Sequence, residues 1–218
     1  MTDLSWSVVA SITARTLLVC GSALFAALLM GLPVGIWLGR RRFRGRGSVV
    51  SVVNAGMGAP PVVVGLAVYW LLARSGPLGS LGLIFSPEAM VIAQILIALP
   101  LVVGITLAAV GALDEDWDLQ VRTLGIPPVR RLWLLLREIR LGLLAAVIAA
   151  LGGILSEVGA VMMVGGNLAG ETRVLTTSIL MATQMGDFEI AFATAAILLG
   201  LMLLLAGLLT AVQQGERR

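Results

Sequence analysis

Residues 16 to 46 read TLLVCGSALFAALLMGLPVGIWLGRRRFRGR, an uncharged run from 16 to 39 followed by the arginines 40, 41, 42, 44 and 46. A helix rises about 1.5 Å per residue, so about 20 apolar residues cover the roughly 30 Å hydrocarbon core of a bilayer. The run is long enough to cross, and the arginines mark where it meets the surface.

Four further runs have the same character. Residues 47–73 are uncharged up to Arg74 and contain Pro60 and Pro61, which predicts a bend or break because proline removes a backbone donor. Residues 89–113, 141–165 and 190–211 complete the set, with Glu157 the one charge among them. The whole chain agrees: 59% of its 218 residues are hydrophobic and 12% charged, against roughly 25% charged in soluble domains, and the mean hydropathy is +1.03. The expected fold class is an all-α membrane protein, a single domain over 1–218 with five transmembrane helices in the cell membrane.

Arginine placement sets the expected orientation. With the N-terminus outside and the C-terminus inside, the inner segments 40–46, 114–140 and the tail hold twelve arginines, and the outer ones hold Arg15, Arg74 and Arg173. Basic residues favour the cytoplasmic side. No cleavable leader is expected, because Asp3 precedes the first basic residue, Arg15, and the apolar run after it is long enough to span.

Several chemistries fail on residue inventory. The chain has no histidine and one cysteine, Cys20, so it can form neither a Ser-His-Asp triad nor an intrachain disulfide. All fifteen basic residues are arginine, which removes the lysine that a P-loop places on nucleotide phosphates. The net charge of +3 and pI near 10.4 reflect arginines flanking spans, a pattern of membrane topology and not of nucleic-acid binding.

Between spans three and four lies LDEDWDLQVRTLGIPPVRRLWLLLREIR, residues 113–140. Asp114 suits a helix N-cap, Glu115 and Asp116 suit the positive end of the dipole, and Gly125 with Pro127 and Pro128 supplies a stop, so a short helix is expected over 115–124. Leu113, Trp117, Val121 and Leu124 form one apolar stripe on it. Two partners suit such a stripe: lipid headgroups, or a groove in a cytoplasmic protein with Trp117 and Leu124 as anchors. The acidic start favours the protein, since anionic lipid repels Asp114, Glu115, Asp116 and Asp118. Arg130, Arg131, Arg137 and Arg140 are expected to snorkel to the interface.

The run Arg122-Thr123-Leu124-Gly125 resembles the cytoplasmic coupling loop of ABC-importer permeases, in which a Glu-Ala-Ala group is followed after three residues by a glycine and then by an Ile-x-Leu-Pro group. Gly125 fits the glycine, whereas Leu119, Gln120 and Val121 replace Glu-Ala-Ala, and Leu135, Leu136, Arg137 and Glu138 replace the ending. GAPPVVVGLAVYWLLARSGPLGSLGL (58–83) and SEVGAVMMVGGNLAGETRVLTTSI (156–179) closely resemble permease subunits of oxyanion importers, the tungstate type most, with molybdate and sulfate permeases similar but less close.

The resemblance implies a MetI-like permease fold and a homodimer forming the translocation path by alternating access. It also implies two cytoplasmic ATPase subunits that hold ATP and Mg and an external oxyanion-binding protein; no cofactor is expected on this chain. Trp117, Val121, Leu124 and Gly125 are the candidates for ATPase coupling, with Gly125 in a left-handed conformation. Path or gate candidates are Glu157, Asn167, Thr176, Thr177 and Ser178, in span four and the outer loop 166–188, where a short helix is expected through 172–185. The hydroxyls have an equal alternative, bonding to nearby carbonyls.

Glu157 lies about 24 Å along its span at about 1.5 Å per residue. A pore-facing carboxylate repels an anion, so Glu157 is expected to be protonated, or hydrogen-bonded to the Ser156 region or a neighbouring helix, in a structural or gating role and not as a direct ligand contact. Arg173 is the candidate for docking the anion or the binding protein, with plain solvation as the alternative. Gly31, Gly35 and Gly39 form a small-residue seam suited to close helix packing within the subunit. An ATPase-independent carrier needs paired intramembrane charges, a membrane enzyme needs paired acids or histidines, and a membrane scaffold needs neither.

Overall fold

The computed structural model describes residues 6–114 and 116–215, the side chains of 212–215 excepted; Asp3, Glu115, Arg217 and Arg218 lie outside the described residues. The chain runs α1 (Trp6–Arg40), α2 (Arg46–Met57), α3 (Pro61–Leu72), α4 (Pro87–Gly111), α5 (Trp117–Thr123), α6 (Pro128–Glu138), α7 (Arg140–Leu155), α8 (Gly159–Gly165), α9 (Leu175–Gln184) and α10 (Phe188–Gly215), with a 3-10 turn at Gly79–Leu81. No strand is present among the described residues. Three helices, α1, α4 and α10 up to Ala211, are each long and apolar enough to cross a membrane. Two bent pairs raise the number to five if each is one span: α2 with α3, bent by 102°, and α6 with α7, bent by 65°.

The core is built on α1 and α4, which run parallel. Their contact follows the glycine seam: a Cβ on Gly31 would stand 2.7 Å from Val102 Cγ1, one on Gly35 2.7 Å from Thr106 Cβ, and one on Gly39 2.6 Å from Val110 Cγ1. Glycine every fourth residue keeps one stripe free of side chains, so the second helix approaches to backbone distance. Around this pair, Cys20, Ala23, Ala27, Ala98 and Val102 pack against Ala150 and Ile154 of α7, and Met202 and Leu205 of α10 cover them. The seam lies within the subunit, as expected.

The prolines of the second run break it. Pro60 is extended (φ −61°, ψ 123°) and Pro61 opens α3, where its missing donor costs nothing. Gly56 packs on Pro100 of α4, at 2.9 Å from a virtual Cβ to Pro100 Cγ.

The fourth run differs from a single helix over 141–165. It divides into α7 and α8 at Ser156, Glu157 and Val158, and α7 is preceded by the separate, bent helix α6. The first helix begins at Trp6, well before residue 16, because Val9 and Ile12 are buried and Arg15 is held by backbone carbonyls. The helix of the 166–188 loop is shorter than 172–185, since Thr172 is used in the preceding turn.

Candidate functional site

Two places concentrate the candidate residues. The first is at the end of the bundle where α1 and α4 finish. Asp114 Oδ1 accepts the Asp116 N–H at 2.9 Å, closing a local turn, so α5 starts at Trp117 with Asp116 as its N-cap residue. The N-cap position falls on Asp116, two residues after Asp114, because the helix starts at Trp117. At the other end Gly125 has φ +65° and donates to the Arg122 carbonyl at 3.0 Å, and no atom lies within 4 Å of a virtual Cβ there. That is the expected left-handed cap. Pro127 and Pro128 then open α6.

The apolar stripe on α5 divides. Trp117 and Leu113 pack against Val110, Leu135 and Ile139, and Val121 is 8% exposed. Leu124, in contrast, is 75% exposed and Leu119 is 61% exposed. Trp117 reaches Leu135 of α6 and Ile139 beyond it, while Leu124 falls at the C-cap where the helix has already ended. Trp117 is half-buried against the bundle, and the most exposed apolar side chains of this stretch are Leu119 and Leu124. A cleft of about 690 Å³ beside α5 is lined by Arg40, Arg42 and Arg46 on one side and Asp114, Asp116 and Asp118 on the other.

The second place is the break between α7 and α8. Several of the groups at the break are met by side chains. Glu157 is 8% exposed and its Oε1 accepts the Ala160 N–H at 2.8 Å, capping α8. Its backbone carbonyl takes the Thr176 hydroxyl of α9 at 3.0 Å, and Gln94 Nε2 of α4 donates to the Ile154 carbonyl at 3.4 Å. Ser156 turns back on the Gly152 carbonyl at 2.8 Å. In a medium without water such pairing is obligatory. Beside it α3 packs on α8 at backbone contact: a Cβ on Gly65 would lie 2.5 Å from Ala160 Cα.

The 166–174 turn sits above this break. Gly166 and Asn167 both have positive φ, +69° and +52°. Asn167 Oδ1 accepts from Arg173 Nε at 3.3 Å, and Arg173 is partly buried. Thr172 is fully buried, donates to the Gly165 carbonyl at 2.5 Å and accepts from Leu168 N–H at 2.8 Å. Thr177, also fully buried, accepts the Val174 N–H at 3.1 Å and so caps α9. Thr176 and Ser178 are 6% and 5% exposed. Of the two readings of these hydroxyls, the bonds of Thr176 and Thr177 are those of groups that satisfy nearby backbone.

Four residues carry structure that the sequence reading did not assign. Arg15 donates to the carbonyls of Gly170 at 2.6 Å and Arg173 at 2.9 Å, and Thr16 accepts the Leu175 N–H at 3.0 Å. Arg40 pairs with Asp118. Gln94 bridges to the α7 terminus. The arginines read as topological charges in the sequence, and Gln94 is the one amide in the run 89–113.

The arrangement has known relatives. The family described as binding-protein-dependent transport system inner membrane component matches residues 31–218. A probable anion ABC transporter permease protein of Haloferax volcanii is 41% identical over 206 residues, 92% of this chain and 89% of the relative. The tungstate uptake system permease protein TupB of Peptoclostridium acidaminophilum is 39% identical over 83% of this chain and 79% of its own length. A sulfate transport system permease protein, CysW of Synechocystis, is 31% identical over 78% of this chain and 64% of its own. With most of its length matched, its apolar helices and its broken spans, the chain belongs to the binding-protein-dependent transport system inner membrane component family, as an ABC transporter permease subunit in the membrane.

Proposed function

We propose that this permease imports tungstate, as one of two copies that together form the path. A cytoplasmic ATPase dimer binding ATP and Mg drives it, and an external oxyanion-binding protein delivers the anion. The observation that carries the substrate reading is the 39% identity to a tungstate uptake permease across 83% of the chain. The missing lysine supports an ATP site on a separate subunit. The arginine asymmetry supports an outside N-terminus and an inside C-terminus.

In this reading α5 is the coupling element. Leu119 and Leu124 enter the ATPase groove, Trp117 and Val121 tie the peg to its own bundle, and Gly125 releases the chain into α6. The Glu157 break, with Thr176, Thr177, Ser178 and Asn167 around it, is the hinge and gate, and Arg173 faces the binding protein. The described spans carry no arginine at the depth of the break, so selectivity resides mainly in the binding protein. The test is uptake of tungstate, molybdate and sulfate by the complex reconstituted in liposomes, with and without binding protein. Tungstate uptake that needs both ATP and the binding protein is expected. Preference for molybdate or sulfate, the sulfate case favoured by the 31% identical sulfate permease, would overturn the substrate; uptake without ATP would overturn the class.

A further inference from the structure

We propose that Arg40 is a positioning residue for energy coupling: it ties α5 to the end of α1, so that a displacement of the peg is delivered to the α1 and α4 pair. The proposal rests on the reading of α5 as the coupling element.

Arg40 is the last residue of α1 and lies 78 positions from Asp118 in the sequence. Its Nη2 donates to Asp118 Oδ1, and its guanidinium carbon stands 5.7 Å from the centre of the Trp117 ring. One side chain thus grips two successive residues in the first turn of α5, by charge and by the ring face. The two charged side chains are 27% and 39% exposed, at the boundary between protein and water.

The grip matters because α5 has little else. A helix of seven residues does not hold its shape by backbone bonds alone, and among the described residues no helix packs closely along α5. Its hold on the bundle comes from side chains that reach out: Trp117 into Val110, Leu135 and Ile139, and Asp118 to Arg40. Covalently α5 continues only into α4 and α6. Arg40 adds α1, at a point of high stiffness, because the preceding Gly39 is in backbone-level contact with Val110 of α4. Among the other arginines that share a cavity with Asp118, Arg46 has its Nε turned to the Leu38 carbonyl at 2.9 Å.

The test uses the complete complex in liposomes, with ATPase and binding protein, and reads tungstate taken up per ATP hydrolysed. R40A and D118A are each expected to lower that ratio about fivefold, the factor matching about 1 kcal/mol, the upper range for a partly exposed ion pair. The double variant is expected to fall no further than either single one, and D118E to recover the ratio, with the ATPase co-purifying throughout. D118N, nearly isosteric and at a partly exposed position, carries the same expectation where R40A disturbs insertion. An unchanged ratio in the single variants, losses that multiply in the double one, or loss of the ATPase from R40A would each overturn the proposal. L124E separates it from the reading beneath: loss of ATPase binding and uptake in L124E with an unaffected R40A removes only the Arg40 tie, whereas full ATPase binding and uptake in L124E removes the peg itself.

Discussion

Replacing Glu157 by alanine removes the acceptor at the start of α8. Its Oε1 takes the Ala160 N–H at 2.8 Å, Ala160 is fully buried and Glu157 is only 8% exposed, so the freed donor is left inside the protein. An unmet buried donor costs about 1–3 kcal/mol. In a chain of this size each kcal/mol moves the melting temperature by about 2–4 °C, which puts Glu157→Ala about 2–12 °C below the wild type. Glu157→Gln keeps an acceptor oxygen in the same position, so a smaller loss than in the alanine variant is expected, with uptake reduced in proportion. The assay is thermal melting of the detergent-purified complex followed by tryptophan fluorescence, with tungstate uptake in liposomes beside it. An alanine variant that melts with the wild type would refute the capping argument. So would a glutamine variant that falls as far as alanine, since charge and not the acceptor would then be what the site needs.

Gly125→Val is expected to cost about 1–2 kcal/mol through backbone strain alone at φ +65°, and to lower ATPase stimulation and uptake while insertion is retained; Gly125→Asn should recover most of the loss. Gly35→Leu sets a Cβ 2.7 Å from Thr106 Cβ and 2.9 Å from the Val103 carbonyl, and should destabilise the α1 and α4 contact by about 1–3 kcal/mol or more in a melting experiment. Gly21→Leu, with nothing within 4 Å, should leave melting unchanged. Leu119→Glu and Leu124→Glu lie on exposed positions, so melting should stay within about 0.5 kcal/mol of the wild type while pull-down of the ATPase is lost.

The long helices were legible because an uncharged run of the right length has one stable form in a bilayer. The run 89–113 and α4 at Pro87–Gly111 agree to within two residues at each end, and Pro60 with Pro61 marked the break between α2 and α3. The apolar count fails where a charge is neutralised by the fold. Arg15 looked like an edge, yet α1 passes through it, since two backbone carbonyls of the 170–173 turn accept its guanidinium. The count also fails at 156–158, because a run of apolar residues reads the same whether its helix is whole or divided; Glu157 was the visible sign, but its partner, the Ala160 N–H, exists only once the helix has broken. On α5 the periodicity named a common side for Trp117, Val121 and Leu124. It could not say that the bundle would bury Val121 and take up Trp117 while leaving Leu124 exposed.

Two arginines of α1, Arg15 in its third turn and Arg40 at its end, use one device. At Arg15 a guanidinium holds the carbonyls of the 170–173 turn, and Thr16 beside it takes the first N–H of α9; at Arg40 another guanidinium holds the first turn of α5. Each arginine fastens a short or irregular segment that has few bonds of its own to an unbroken helix of 35 residues. Between them the glycine seam joins that helix to α4, where glycines leave no compressible side chains in the contact. The broken segments behave oppositely. The α2 and α3 pair turns through 102° and the 156–158 break is held by single hydrogen bonds from Gln94, Thr176 and Glu157, bonds that can exchange partners without opening the core. A force applied to α5 therefore meets a stiff path along α1 and α4 and a compliant one at the breaks. In the proposed mechanism the shape change falls at the breaks, beside the close contact of α3 and α8 at Gly65 and Ala160.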